Sequence, residues 1–79
     1  MNVKETIESV LTDMLGVGSD EVTPEATLKN DLGADSLDVV EIVMECEKRL
    51  NIAISDSQMD EIKTVADLER ICQECLKSE

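Results

Sequence analysis

Few residues of this chain could do chemistry, and Ser36 is the most informative of them. It lies in the run Asp31-Leu32-Gly33-Ala34-Asp35-Ser36-Leu37-Asp38, where a loop gives way to a helix with periodic apolar residues. A hydroxyl at that junction faces water. The free N–H groups and positive dipole end of the helix beside it can hold a phosphate. The chain has no histidine, so Ser36 lacks the base that a triad nucleophile needs. No paired catalytic constellation is visible, and an enzyme is not expected. Taken alone, Ser36 is also readable as a plain helix-start serine.

Two other patterns invite chemistry and fall short. Cys72-x-x-Cys75 has metal or redox spacing, but it is a lone pair without histidine or a second pair. At i and i+3 in a helix, both thiols are expected to pack inward or lie at its edge. Asp31 to Ile42 alternates acids as a calcium loop does. Its sixth position is Ser36 rather than Gly, and its twelfth is Ile42 rather than Glu. No metal site is expected, although diffuse divalent binding among the acids stays open.

The elements that must position Ser36 read as four helices. In the first, Ile7, Val10, Leu11, Met14 and Leu15 form one apolar stripe, with Asn2 and Glu5 at its start and Gly16 and Gly18 at its end. A long connection follows from Gly16 to Asp35, pinned by Val22, Ala26, Leu28 and Leu32; a loop of this length is often functional. The second helix is expected from Ser36 to Leu50, with Asp35 as N-cap and Asp38 completing a carboxylate capping box. Asp38 and Glu41 suit its positive end, and Lys48 and Arg49 its negative end. A short helix fits Asp56 to Glu61, capped by Ser55 and Gln58. The last fits Val65 to Leu76, capped by Thr64, with Leu68, Ile71, Cys72 and Cys75 inward. Period-two alternation is nowhere sustained, so no sheet is expected. The fold class is all-α: a four-helix bundle with three longer helices, one short helix and a long first loop.

The second helix has two apolar sides. At about 100° per residue, Val39, Ile42, Val43, Cys46 and Leu50 fall together, and Leu37, Val40 and Met44 fall roughly opposite. Asp38, Glu41 and Glu45 flank the second stripe. That stripe is either a docking surface with an apolar centre and charged rim, or a face covered by the long loop.

The run from Asp31 to Asp38 resembles the attachment site of acyl carrier proteins, whose Asp-Ser-Leu serine carries 4'-phosphopantetheine. The similarity continues through Val40-Glu41-Ile42-Val43-Met44, through Leu15-Gly16-Val17 and through Ile62-Lys63-Thr64-Val65, over nearly the whole chain. Departures are Lys48 and Arg49, where carriers of fatty acid synthesis are commonly acidic, Ser55 in place of a frequent proline, and Cys46 at an inner position often held by Leu.

The resemblance implies that Ser36 is a handle to be modified. A phosphopantetheinyl transferase (holo-ACP synthase) using Mg²⁺ would move the group there from coenzyme A. The arm ends in a thiol that holds acyl groups as thioesters. Residues matching Asp35, Leu37, Asp38, Val40, Glu41 and Met44 would meet basic patches on fatty acid or polyketide synthase enzymes. A shelter for the acyl chain would lie between the second and third helices, walled by Val39, Val43, Cys46, Ile54, Met59, Ile62, Leu68 and Ile71. Each of these eight also reads as ordinary core. Fatty acid biosynthesis is the expected pathway. The alternatives are a polyketide or other specialised carrier and, in a different class, an unmodified acidic helical module.

Composition agrees and excludes some partners. The chain has 79 residues, enough for one domain, expected to span 1–79, with a thin core. There are no aromatics, so the core must be aliphatic and pliable. A net charge of −12 argues against nucleic acid or an anionic membrane and favours partners with basic surfaces. Three cysteines, an odd number, with no secretory leader in Met1 to Val10 and no apolar run long enough to span a bilayer, suggest a reduced cytoplasmic protein without stable membrane association; that it is a phosphoprotein is what the resemblance implies. A monomer is expected.

Overall fold

The computed structural model describes residues 2–77. Met1, Ser78 and Glu79, which the expected domain span includes, lie outside the described residues. Four helices follow in order: α1 (Val3–Leu15), α2 (Ser36–Leu50), α3 (Asp56–Asp60) and α4 (Val65–Lys77). No strand occurs among the described residues, and the molecule has the expected all-α architecture of three longer helices, one short helix and a long first loop. α1 packs on α2 and α4, and α2 packs on α4.

Capping defines where each helix starts. The Asn2 side chain accepts the Glu5 N–H at 3.2 Å and opens α1. Asp35 accepts the Asp38 N–H at 2.9 Å, and the Asp38 carboxylate accepts the Asp35 N–H at 3.2 Å, a reciprocal pair that fixes the first turn of α2. Ser55 and Gln58 make the same exchange at α3. At α4, Thr64 accepts the Asp67 N–H at 3.2 Å while Asp67 accepts the amides of Thr64 and Lys63, each at 3.1 Å. Gly16 ends α1 with φ 70°, and Asn51 ends α2 with φ 56°. Both sit in the left-handed region that Gly and Asn tolerate best.

The core is wholly aliphatic and sulfur-bearing. Ile7, Val10, Leu11, Leu28, Ile42, Val43, Cys46, Leu68, Ile71 and Cys72 are almost completely buried, and no charged or polar residue is buried with them among those described. Each of the three longer helices gives one stripe to this core, as amphipathic helices must.

The structure departs from the sequence expectations at a few points. α3 stops at Asp60 and Glu61 is its C-cap; α4 runs one residue further, to Lys77. The long connection contains a single 3-10 turn, Ser19–Glu21. Gly18 precedes that turn and plays no part in ending α1. Met14, expected inward, is 40% exposed, because periodicity marks a face of a helix but not how far along it the neighbouring helices extend.

The long connection is stitched to Lys63, between α3 and α4, and to the first residues of α4 by backbone hydrogen bonds. The Leu28 N–H donates to the Lys63 carbonyl at 3.0 Å, Val65 to Ala26 at 3.0 Å and Ala66 to Pro24 at 3.0 Å. A local turn then redirects the chain, with the Asp31 and Leu32 amides both donating to the Thr27 carbonyl at 3.1 Å. The Thr27 N–H in turn donates to the Asp31 carboxylate at 2.8 Å. Gly33 follows with φ 76°, and the Ala34 N–H closes on the Leu28 carbonyl at 2.9 Å. These bonds deliver the chain to Asp35 and fix where α2 begins.

Candidate functional site

Ser36 occupies the first helical position of α2 and is exposed. Its own amide and that of Leu37 have no partner within the helix, as helix geometry requires at this end. Asp35 and Asp38 flank it, but their carboxylates are engaged in the capping exchange. The Lys29 ammonium donates to the Ser36 hydroxyl oxygen at 3.4 Å. A free hydroxyl, open amides, the positive helix end and a cation thus meet at one point.

Beside Ser36 opens a cleft of about 340 Å³. Val39 and Val40 of α2 form one wall, Met59 and Asp60 of α3 another, and Ile62 and Lys63 the connection beyond. Thr27, Leu28, Lys29 and Asn30 of the long loop complete it. Leu28, Val39, Val40, Met59 and Ile62 give it an apolar lining, and Lys29, Ser36, Asp60 and Lys63 are among its polar residues.

Of the eight expected shelter residues, Val39, Met59 and Ile62 line this cleft. Val43, Cys46, Ile54, Leu68 and Ile71 do not; they are buried in the common core. Val40, assigned from sequence to the docking stripe, lines the cleft and is also 38% exposed. Leu37 and Met44 stand out at 66% and 59% exposure. Asp35 and Glu41 are exposed and Asp38 half-buried, so the apolar stripe carries an acidic border. Sequence reading missed Lys29 and Lys63 as members of the site. Neither lies on α2, and only the loop stitching brings them to Ser36 and the cleft.

Two other serine hydroxyls are spent within the fold. Ser55 spends its oxygen on the Gln58 amide, and Ser9 lies 3.5 Å from Asp13 and takes a hydrogen bond from Arg49 at 3.3 Å. The three cysteines are free thiols. Cys46 on α2 and Cys72 on α4 are fully buried. The Cys46 thiol beside it, together with burial, pushes Cys72 well above the ordinary thiol range. Cys75, at the edge of α4, donates to the Ala53 carbonyl at 3.3 Å. No group of three or more metal-ligating side chains converges among the described residues. No helix among them is long and apolar enough to cross a membrane.

The phosphopantetheine attachment site family matches this chain over residues 5–72. The chain belongs to that family. A solved structure of the acyl carrier protein from Enterococcus faecalis is similar to it at 29% identity, with a TM-score of 0.76, covering 95% of this chain and 99% of that one. The family and the fold together make the chain an acyl carrier, whose cofactor is covalent 4'-phosphopantetheine and which has no catalytic activity of its own. A carrier of this family works with phosphopantetheinyl transferases and with synthase enzymes. The Ser36 surroundings fit such a group: an accessible hydroxyl to bear it, a cation and open amides for its phosphate, and an apolar cleft alongside.

Proposed function

We propose that Ser36 bears the 4'-phosphopantetheine and that the chain carries acyl intermediates of fatty acid biosynthesis in the cytoplasm, as a monomer. The observation that carries this reading is the Ser36 hydroxyl, exposed at the first position of α2 with Lys29 at 3.4 Å. 4'-Phosphopantetheine supplies a thiol that holds acyl groups as thioesters. The chain's own residues present and shield. Asp35 and Asp38 lock the first turn, so that Ser36 is offered to a transferase in a fixed orientation. The open amides and helix dipole offset the negative charge that modification adds beside two acids.

The exposed stripe of Leu37, Val40 and Met44, bordered by Asp35, Asp38 and Glu41, serves as the docking face for enzymes with basic patches. The apolar centre gives contact and the acids give steering. Val39, Met59 and Ile62 begin the shelter for the acyl chain. Val43, Cys46, Ile54, Leu68 and Ile71 are the core residues that would separate to deepen it.

Incubating the apo-protein with coenzyme A and a transferase tests the central claim. Intact mass should rise by one phosphopantetheine, and Ser36→Ala should abolish the gain. Modification that persists in Ser36→Ala would overturn the assignment. Mass analysis of the cargo carried in the native source separates fatty acid synthesis from a polyketide or other pathway.

A further inference from the structure

We infer that Lys29 is a positioning residue for the prosthetic arm, pairing with the phosphodiester on Ser36 and turning the arm into the cleft between α2 and α3. This rests on the reading of Ser36 as the attachment site.

Only seven cations stand against nineteen acids in this chain. Arg49 is committed to Asp13 and Glu45, and Arg70 to Glu61, Asp67 and Glu74. Lys29 makes no ion pair among the described residues; its one hydrogen bond goes to the Ser36 hydroxyl oxygen. Its backbone is not free to drift, because Leu28 is held to Lys63 and Ala34, and the Thr27–Asp31 turn closes around it. An ammonium placed 3.4 Å from the oxygen that becomes the ester oxygen lies within reach of the phosphoryl oxygens two bonds further out. The other charges next to Ser36 along the chain are Asp35 and Asp38, which repel a phosphodiester.

Direction follows from connectivity. In 4'-phosphopantetheine a single methylene separates the phosphate from a quaternary carbon bearing two methyl groups. Lys29 and Ser36 both line the cleft, together with Leu28, Val39, Val40, Met59 and Ile62, and their side chains meet there at 3.4 Å. A phosphodiester drawn toward Lys29 therefore sends the dimethyl carbon toward the apolar lining and away from water. Burial of two methyl groups and the charge contact act together. The arm and its cargo are biased to rest against this cleft until a partner draws them out.

The test uses loaded protein with isotope-labelled methyl groups. In the parent protein, NMR cross-relaxation should connect the arm's paired methyls with Met59 and Ile62. In Lys29→Gln and Lys29→Glu those contacts should weaken by up to roughly five-fold, the upper end for loss of one exposed ion pair. Lys29→Arg should restore them. Raising salt to about 1 M, where the screening length is about 3 Å, should weaken them in the parent and leave Lys29→Gln unchanged. Contacts equal in the parent and Lys29→Gln would overturn the inference, and so would failure of Lys29→Arg to restore them. Intact mass on the same samples keeps the two claims apart. Loading on Ser36 with contacts indifferent to Lys29 sinks this inference alone, whereas absence of loading on Ser36 sinks the attachment assignment and this with it.

Discussion

At the scale of single residues, the start of α2 depends on a few side chains with defined tasks. Asp35 supplies the cap and Asp38 returns the bond. Asp35→Ala should cost about 1 kcal/mol, the usual value for a lost N-cap, read by urea denaturation, and should slow loading of Ser36 because the first turn frays. Gly33 carries φ 76° with open space where a Cβ would project. Gly33→Ala therefore meets no clash, only the left-handed backbone cost of about 1–2 kcal/mol. Asp67 gives a pH signature. Burial acts to raise its pKa, but bonds from the Thr64 and Lys63 amides, the Thr64 hydroxyl and Arg70 outweigh it and hold the carboxyl below its ordinary value. A group with a depressed folded pKa contributes stability above its unfolded pKa and loses it as pH falls through the folded one. Asp67→Asn should thus melt lower than the parent at neutral pH, and the gap should narrow as acid is added below about pH 4. A gap that stays constant with pH would remove Asp67 from this role.

At the scale of elements, α2 gives one stripe to the core and leaves Leu37, Val40 and Met44 exposed, the face proposed above for docking. Reversing Glu41 to lysine, which leaves the Asp35–Asp38 cap intact, should slow transferase and synthase reactions while circular dichroism shows helix content retained; unchanged rates in both would remove the docking face. The turn after α2 has its own clasp, the Ile54 N–H donating to the Glu47 carboxylate at 2.8 Å. Glu47→Ala should cost about 1–2 kcal/mol, since it orphans a part-buried amide, and chemical denaturation will measure it. The helices themselves were legible because caps and periodicity are local: Asn2, Asp35, Ser55 and Thr64 all open helices where their types and neighbours said they would. The path of the long loop was not. Of its pinning residues, Ala26, Leu28 and Leu32 are buried and Val22 is half-buried against the core, but the bonds to Lys63 and Val65 join partners more than 30 residues apart. Nothing local in the sequence encodes that pairing, so Lys29 and Lys63 could not be assigned to the site. The extent of the cleft was illegible for a related reason. An inward position looks the same in sequence whether it faces a cavity, as Val39 does, or another side chain, as Val43 does.

At the scale of the whole molecule, charge and sulfur set the terms. A surface with a net charge of −12 repels itself, and the few exposed arginine pairs return little against it. Screening should relieve more than it removes. The melting temperature should rise between about 10 and 150 mM salt, as the screening length falls from about 30 to 8 Å; a flat or falling trend would contradict this balance. The placement of the thiols has a different consequence. Thiol exchange on a thioester needs an accessible thiolate. Cys46 and Cys72 are sealed between α2 and α4, and Cys75 has its sulfur turned to the Ala53 carbonyl. Iodoacetamide should therefore leave Cys46 and Cys72 intact until the bundle is unfolded. A scaffold that lends a high-energy ester to other enzymes must not become that ester's first victim, and the bundle keeps Cys46 and Cys72 out of the trade.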